Sequence, residues 1–383
     1  MSKIKVLHVT WSADKAGMLT DLVSVQSRDP GLELDICFGT MGNGIFAEQL
    51  ELLGIRPRIL GMRSRYSPVE NLKGGLRLRR LIREGNYNII HLQEAMIPCP
   101  FLAAVSSSRT KVVIHNRGEF NVTETFRQRT AQSLKMVAYR LLVPGRVDRI
   151  ICNSRYTVGK TPLARRHIPK VEVLYNAIDM ARIRRISEKR DELRGKLCRE
   201  HGLDDDACIV TVVARLVEFK RIDRFIRAFS IAVRENPRLT AFIVGDGPLR
   251  ERLAREASVP EFAGRVRLLG YRPDAREIIA SSDLFVLPSA GEAFGIAALE
   301  AVALQVPVAV FADVGGPREF VREGVNGYIV ADEAELSRKI IGSGRGETTL
   351  KPSGEDGVLC DIGGYASRIR RIYEELLVEK PAL

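Results

Sequence analysis

The chain has few cysteines, a single tryptophan and no long apolar run, and the first and last of these exclude classes of protein. Its six cysteines (37, 99, 152, 198, 208 and 360) are scattered over 383 residues, without a CxxC pair or a Cys/His cluster. That spacing argues against a zinc site, and it fits a reducing cytoplasm better than secretion. No apolar stretch approaches ~18 residues, so no membrane-spanning helix is expected. The N-terminus, MSKIKVLHVTW, enters a strand-like segment directly, so no signal peptide is expected. A GxSxG elbow, a GxxxxGK[ST] loop and an HExxH helix are also missing, which removes three familiar catalytic readings.

What remains is a globular chain, 45% hydrophobic and too long for one ordinary core, so two domains are expected. Short apolar runs alternate with helical stretches. The first half offers KVLHVTW (5–11), LDICFG (34–39), NIIHLQ (88–93), KVVIHN (111–116), RIICNS (149–154) and VEVLYN (171–176). The second offers CIVTVVARL (208–216), LTAFIVG (239–245), VRLLGY (266–271), DLFVLPS (283–289), VPVAVF (306–311) and GYIV (327–330). Near-continuous apolar strands of this kind belong to buried parallel sheets. Two such series predict an α/β protein of two doubly wound domains, with ligand loops at the carboxyl ends of the strands facing a cleft. The boundary is expected between Asn176 and Asp206, in a charged helical connector. Residues 342–357 read as a surface loop, and 365–377 as an amphipathic helix.

Charge is unevenly placed. Residues 1–178 hold 27 Lys+Arg against 14 Asp+Glu, whereas 179–383 hold 32 against 33. The excess suggests an anionic surface for the first half. KGGLRLRRLIR (73–83) interleaves Leu72, Leu76, Leu81 and Ile82 with Lys73, Arg77, Arg79, Arg80 and Arg83, a pattern compatible with an anionic bilayer. FRQRTAQSLKMVAYR (126–140) and RRHIPK (165–170) are basic too. Nucleic acid is not expected, because aromatics do not interleave with the basic runs.

The stretch Pro288–Leu304, PSAGEAFGIAALEAVAL, carries two acids, Glu292 and Glu300, in an otherwise apolar helical pattern. At ~1.5 Å per helical residue they would stand ~12 Å apart. That exceeds the roughly 5–9.5 Å of a glycosidase carboxylate pair and suits two grips on one long ligand. GDGPLR (245–250) is a Gly-rich turn between strand and helix, able to present backbone N–H groups to a phosphate or sugar. The strand after it lacks the acid of a nicotinamide-binding unit. Arg215 and Lys220, at and beyond the end of the strand IVTVVARL, could neutralise a diphosphate leaving group. His8, His91 and His115 lie on or beside strands. His115 ends its strand before the loop RGEF and is the one expected to project into a cleft.

Taken in order, ARL (214–216) with Lys220, GDGPLR (245–250), PSAGEAFGIAALEA (288–301) and VGGPREFVREGVNGYIV (314–330) resemble the retaining glycosyltransferases of family four. DRIICNS (148–154) and VLYNAID (173–179) extend the resemblance into the first half. It implies the GT-B fold of two facing Rossmann-like domains. The acceptor domain would span 1–180 together with a crossing C-terminal helix, 363–378, and the donor domain 205–362. A nucleotide-sugar co-substrate, UDP- or GDP-linked, is implied, with no cofactor and no metal. Arg215 and Lys220 would hold the diphosphate, and Glu300 the ribose. Glu292 and the backbone at Phe294, Gly295 and Ile296 would contact the sugar and the distal phosphate. His115 would stand near the transferred sugar. Gly17 matches the family's glycine loop, and Gly245 and Gly247 lie in its donor-side turn.

The sequence departs from the family pattern at three places. The first loop, SADKAGML, has only Gly17; Arg221 follows Lys220 where glycine is usual; and Ala177 replaces another glycine. The implied activity is transfer of a hexose-like sugar to a glycan or lipid-linked acceptor in cell-surface polysaccharide or glycolipid synthesis. The enzyme would be cytoplasmic, on the inner face of the membrane. A nucleotide-sugar 2-epimerase of the same fold and a catalytically silent glycan-binding protein are the alternatives.

Overall fold

The computed structural model describes residues 3–11, 18–40, 44–63, 67–93, 101, 104, 110–118, 147–161, 170–262, 264–346, 350 and 361–378. The chain divides into two compact units, residues 1–177 with 360–383, and residues 178–359. The connector Met180–Ser187 and Arg190–His201 is helical and belongs to the second unit.

The first unit is built on seven parallel strands: β1 (Ile4–Thr10), β2 (Leu32–Thr40), β3 (Arg58–Met62), β4 (Ile89–Leu92), β5 (Lys111–Asn116), β6 (Arg149–Cys152) and β7 (Val171–Val173). Their order is β3-β2-β1-β4-β5-β6-β7. The apolar runs mark six of the seven. The seventh, β3, is a sheet-edge strand that leaves Ile59 exposed, so its sequence RILGM lacks the continuous apolar signal of a buried strand.

The second unit has six parallel strands: β8 (Cys208–Val213), β9 (Leu239–Val244), β10 (Val266–Gly270), β11 (Leu284–Leu287), β12 (Val308–Phe311) and β13 (Gly327–Val330). Their order is β10-β9-β8-β11-β12-β13. Phe225 and Phe229, from the helix Ile222–Glu235, join Val210, Val212 and Ile243 in its main core. The helix Glu333–Gly344 takes in the first three residues of the segment expected to be a loop. Its start is set by Asp332, whose side chain accepts from the Glu335 N–H at 2.8 Å.

The helix Pro68–Gly85 starts where Ser67 accepts from the Glu70 N–H and Pro68 occupies the first turn, and it ends at Asn86 in the left-handed region. Its apolar residues divide between two faces. Leu78 and Ile82 are buried in the core, whereas Val69, Leu72 and Leu76 are exposed along one stripe. Ile82, expected to interleave with the basic residues, therefore faces inward. The described cysteines, Cys37, Cys152, Cys198 and Cys208, are unpaired and buried. Burial pushes the Cys152 thiol up to about 11, which keeps it inert as a nucleophile. Among the described residues no helix is long and apolar enough to cross a membrane.

Candidate active site

In the second unit the strand order reverses between β8 and β11. Loops leaving the carboxyl ends of the strands on either side of such a switch point flank the natural ligand crevice of an open parallel sheet. Residues 214–221 follow β8 and carry Arg215 and Lys220; residues 288–295 follow β11 and carry Glu292. The two loops are tied together, the Ala290 N–H donating to Phe219 O at 2.9 Å.

The loop after β9 locks onto the first of these. Leu216 N–H donates to Asp246 O at 2.9 Å, and Leu249 N–H returns a bond to Leu216 O at 3.1 Å. Gly245 and Gly247 hold φ of +135° and +157°. A Cβ on Gly245 would lie 1.9 Å from Ala214 O, and one on Gly247 would lie 2.5 Å from Leu216 O. The glycines are thus required by backbone contact on both sides of Arg215, whatever they present to a ligand. Arg221 occupies the left-handed conformation that glycine adopts without penalty (φ 48°, ψ 42°), and its guanidinium is held by Asp223 at 3.1 Å.

The helix after β11 spans Ile296–Ala303, starting four residues beyond Glu292. Glu292 is held extended instead. Its N–H donates to Val314 O at 2.5 Å, and its carbonyl accepts from the Gly316 N–H at 2.8 Å. The ~12 Å separation of the two acids, which assumed helix throughout, therefore does not apply. Gly295 caps the helix at φ 78°, and its Cβ would collide with Leu287 and Pro317. Phe294 is buried against Phe320, ring centroids 5.2 Å apart, so its ring is not presented to a ligand. The first turn at Ile296 points N–H groups out of the helix, as a phosphate or sugar oxygen requires. The helix is apolar almost all round, with Ala298, Leu299, Ala301 and Val302 buried, and is no solvated surface element.

The acids and cations form two pairs. The Lys220 ammonium contacts the Glu292 carboxylate directly, with side-chain exposures of 14% and 13%. Arg276, from the helix Ala275–Ala280, donates through Nε to Glu300 Oε1 at 2.7 Å. Glu300 is buried among apolar neighbours, where a carboxylate requires such a partner. Nothing in the sequence marks Arg276, since a lone arginine 24 positions upstream carries no signal for the pairing. Arg215 is exposed, and no described side chain pairs with it.

The first unit places His115 differently from expectation. It is fully buried, with Tyr365 Oη 3.0 Å from its Nε2 and Arg117 Nη2 3.4 Å from its Nδ1. Both ring nitrogens are engaged within that unit, and the ring does not project into open space. His8, His91 and His115 lie on β1, β4 and β5, with successive ring centroids 5.1 and 5.4 Å apart. Gln93 Nε2 lies 2.8 Å from His8 Nδ1, and the Tyr373 hydroxyl 2.5 Å from His91 Nδ1. Burial lowers the pKa of all three, that of His8 to about 3, and the nearby Arg117 charge adds to the shift. The three are neutral at physiological pH. Tyr365 and Tyr373 belong to the C-terminal helix Ile362–Val378, which joins the first unit. Gly17 lies outside the described residues, as do the segment 126–140 and all of 165–170 except Lys170.

Comparison with known proteins agrees with this architecture. The family model for glycosyl transferases group 1 matches residues 194–342, and that for Glycosyltransferase Family 4 matches residues 21–182. The UDP-Gal:alpha-D-GlcNAc-diphosphoundecaprenol alpha-1,3-galactosyltransferase of Escherichia coli is 26% identical over 342 residues, covering 86% of this chain and 84% of that protein. The lipopolysaccharide core biosynthesis glycosyltransferase LpsE of Rhizobium meliloti is 32% identical over 46% of this chain and 51% of its own length. The exopolysaccharide phosphotransferase SCO2592 of Streptomyces coelicolor is 34% identical over 44% of this chain, which spans only 18% of that protein. Among solved structures, Anabaena Alr3699/HepE in complex with UDP and glucose superposes with a TM-score of 0.80 at 20% identity, over 97% of this chain and all of that one. Two doubly wound parallel sheets of GT-B type, matched along both halves by these models, place the chain in the family of group 1, family-four-type glycosyltransferases.

Proposed function

We propose that the chain is a retaining, metal-independent glycosyltransferase that moves a sugar from a UDP- or GDP-linked donor to a glycan or lipid-linked acceptor. The observation that carries this reading is the meeting of Lys220 and Glu292 at the β8–β11 switch point, with exposed Arg215 on the same loop. Arg215 and Lys220 take the diphosphate and stabilise its charge as the glycosidic bond breaks. Glu292 accepts from sugar hydroxyls, and the N–H groups opening the helix at Ile296 face the distal phosphate. Glu300, aimed by Arg276, takes the ribose hydroxyls. The leaving phosphate oxygen removes the proton from the acceptor hydroxyl on the same face of the sugar, so the anomeric configuration is kept without a protein nucleophile. Two fixed cations do the charge work that a metal would otherwise do.

A lipid-linked acceptor is supported by the E. coli relative, whose name describes an undecaprenol-linked one. It is also supported by the exposed stripe Val69, Leu72 and Leu76, flanked by exposed Lys73, Arg77, Arg79, Arg80 and Arg83. In this reading the stripe rests on anionic bilayer at the cytoplasmic face.

The test is a transfer assay with UDP- and GDP-sugars against lipid-linked glycan acceptors, with product anomers read by NMR and with chelator added. Retained configuration and chelator-insensitive turnover are expected. Inverted product, or loss of turnover on chelation, overturns the mechanism. Donor epimerisation without an acceptor overturns the reaction class.

A further inference from the structure

Lys220 and Glu292 are assigned above to different parts of one donor, yet their side chains contact each other. We propose that Glu292 is a specificity residue which sets the preference for a sugar-bearing diphosphate over the bare nucleoside diphosphate. The inference rests on the donor reading of this site. Lys220 has three N–H donors, so a phosphate oxygen and a carboxylate could share it by geometry alone. Both are anions, however, and with the pair only 14% and 13% exposed, little water screens them from each other. A diphosphate therefore displaces the carboxylate from the ammonium.

The backbone does not relieve this conflict. The Ala290 N–H bond to Phe219 O ties the Lys220 loop to the Glu292 loop, and Glu292 is pinned on both sides by Val314 and Gly316. The exchange is thus confined to side chains. A bare nucleoside diphosphate leaves the displaced carboxylate nearly buried and without its cation, which is costly. A sugar nucleotide displaces it too, but supplies hydroxyls that donate to it. After transfer those hydroxyls depart, and the carboxylate competes again for Lys220. The same contact that accommodates donor therefore expels product.

Titration calorimetry of the whole chain with UDP and with GDP, without acceptor, tests this in wild type, Glu292→Gln, Lys220→Ala and the double variant. Glu292→Gln is expected to bind the bare diphosphate about 10-fold more tightly than wild type, with a parallel drop in its inhibition constant as product. The gain is expected to vanish in the Lys220→Ala background. Coincident thermal melts of wild type and Glu292→Gln establish that the fold is kept. Unchanged or weaker binding in Glu292→Gln overturns the proposal, as does an equal gain without Lys220. Absence of any UDP or GDP binding to wild type, or indifference of that binding to Lys220→Ala, overturns the donor reading itself.

Discussion

Each unit holds a cluster of polar side chains on a doubly wound parallel sheet, but the clusters sit at different points along the strands. In the first unit His8, His91 and His115 lie within β1, β4 and β5, and tyrosines from the C-terminal helix close over two of them. In the second, Lys220 and Glu292 lie beyond the ends of β8 and β11. A group inside a strand is sealed by the layer packed on the sheet, and its polarity is spent on internal partners. A group just past the strand end keeps its partner at the rim, where a ligand can exchange with it. Position along the strand, more than residue type, separates the sealed cluster from the one at the rim.

The largest expected contrast is in acid. The three histidines are neutral when folded, whereas in the unfolded chain each takes up a proton below about pH 6.5. The unfolded state then binds more protons, so the contribution of these histidines to stability is level above about pH 7 and falls as pH drops below about 6.5. The slope reaches about 4 kcal/mol per pH unit when all three contribute. The second unit contains a single histidine, His201, also lowered by burial. Hydrogen exchange at pH 5 should therefore show β1, β4 and β5 losing protection before β8 and β11. Equal loss in both sheets would break the comparison.

Next in size is the chemistry at the rim. Lys220→Ala and Arg215→Ala should each lower kcat/KM about 100- to 1000-fold, the usual effect of removing one transition-state charge partner. His115→Gln should instead act mainly on thermal stability. If His115→Gln abolished transfer in a folded protein, the sealed cluster would belong to the chemistry after all.

Gly245→Ala should destabilise the second unit by at least about 3 kcal/mol, since the new methyl meets a backbone carbonyl at positive φ. Urea unfolding measures it. A smaller effect follows at the ribose grip: Arg276→Ala should weaken nucleoside diphosphate binding about 10-fold, within the range of one charge-assisted hydrogen bond. Inorganic pyrophosphate, which has no ribose, should bind Arg276→Ala as it binds wild type. The smallest stability change is expected for Leu72→Glu with Leu76→Glu, within about 0.5 kcal/mol because both side chains are exposed. Co-sedimentation with anionic vesicles should nevertheless fall; unchanged pelleting would remove the docking face.

Much of this architecture is determined by sequence alone. Twelve of the thirteen strands carry apolar runs of the kind typical of buried parallel strands, and the alternation of runs with helices leaves two parallel sheets as the arrangement. The ordered motifs carrying Arg215, Gly245, Glu292 and Glu300 locate the loops proposed to hold the donor, because chain order and strand ends are local properties. Which charge meets which is not local. Arg276 with Glu300, Lys220 with Glu292, and His115 with Tyr365 join residues 24, 72 and 250 positions apart. Only the crossing of strands at the switch point, and the return of the last helix to the first unit, bring those partners together. Helical spacing also misplaced Glu292, because backbone bonds to Val314 and Gly316 outweigh the helical preference of the sequence around it.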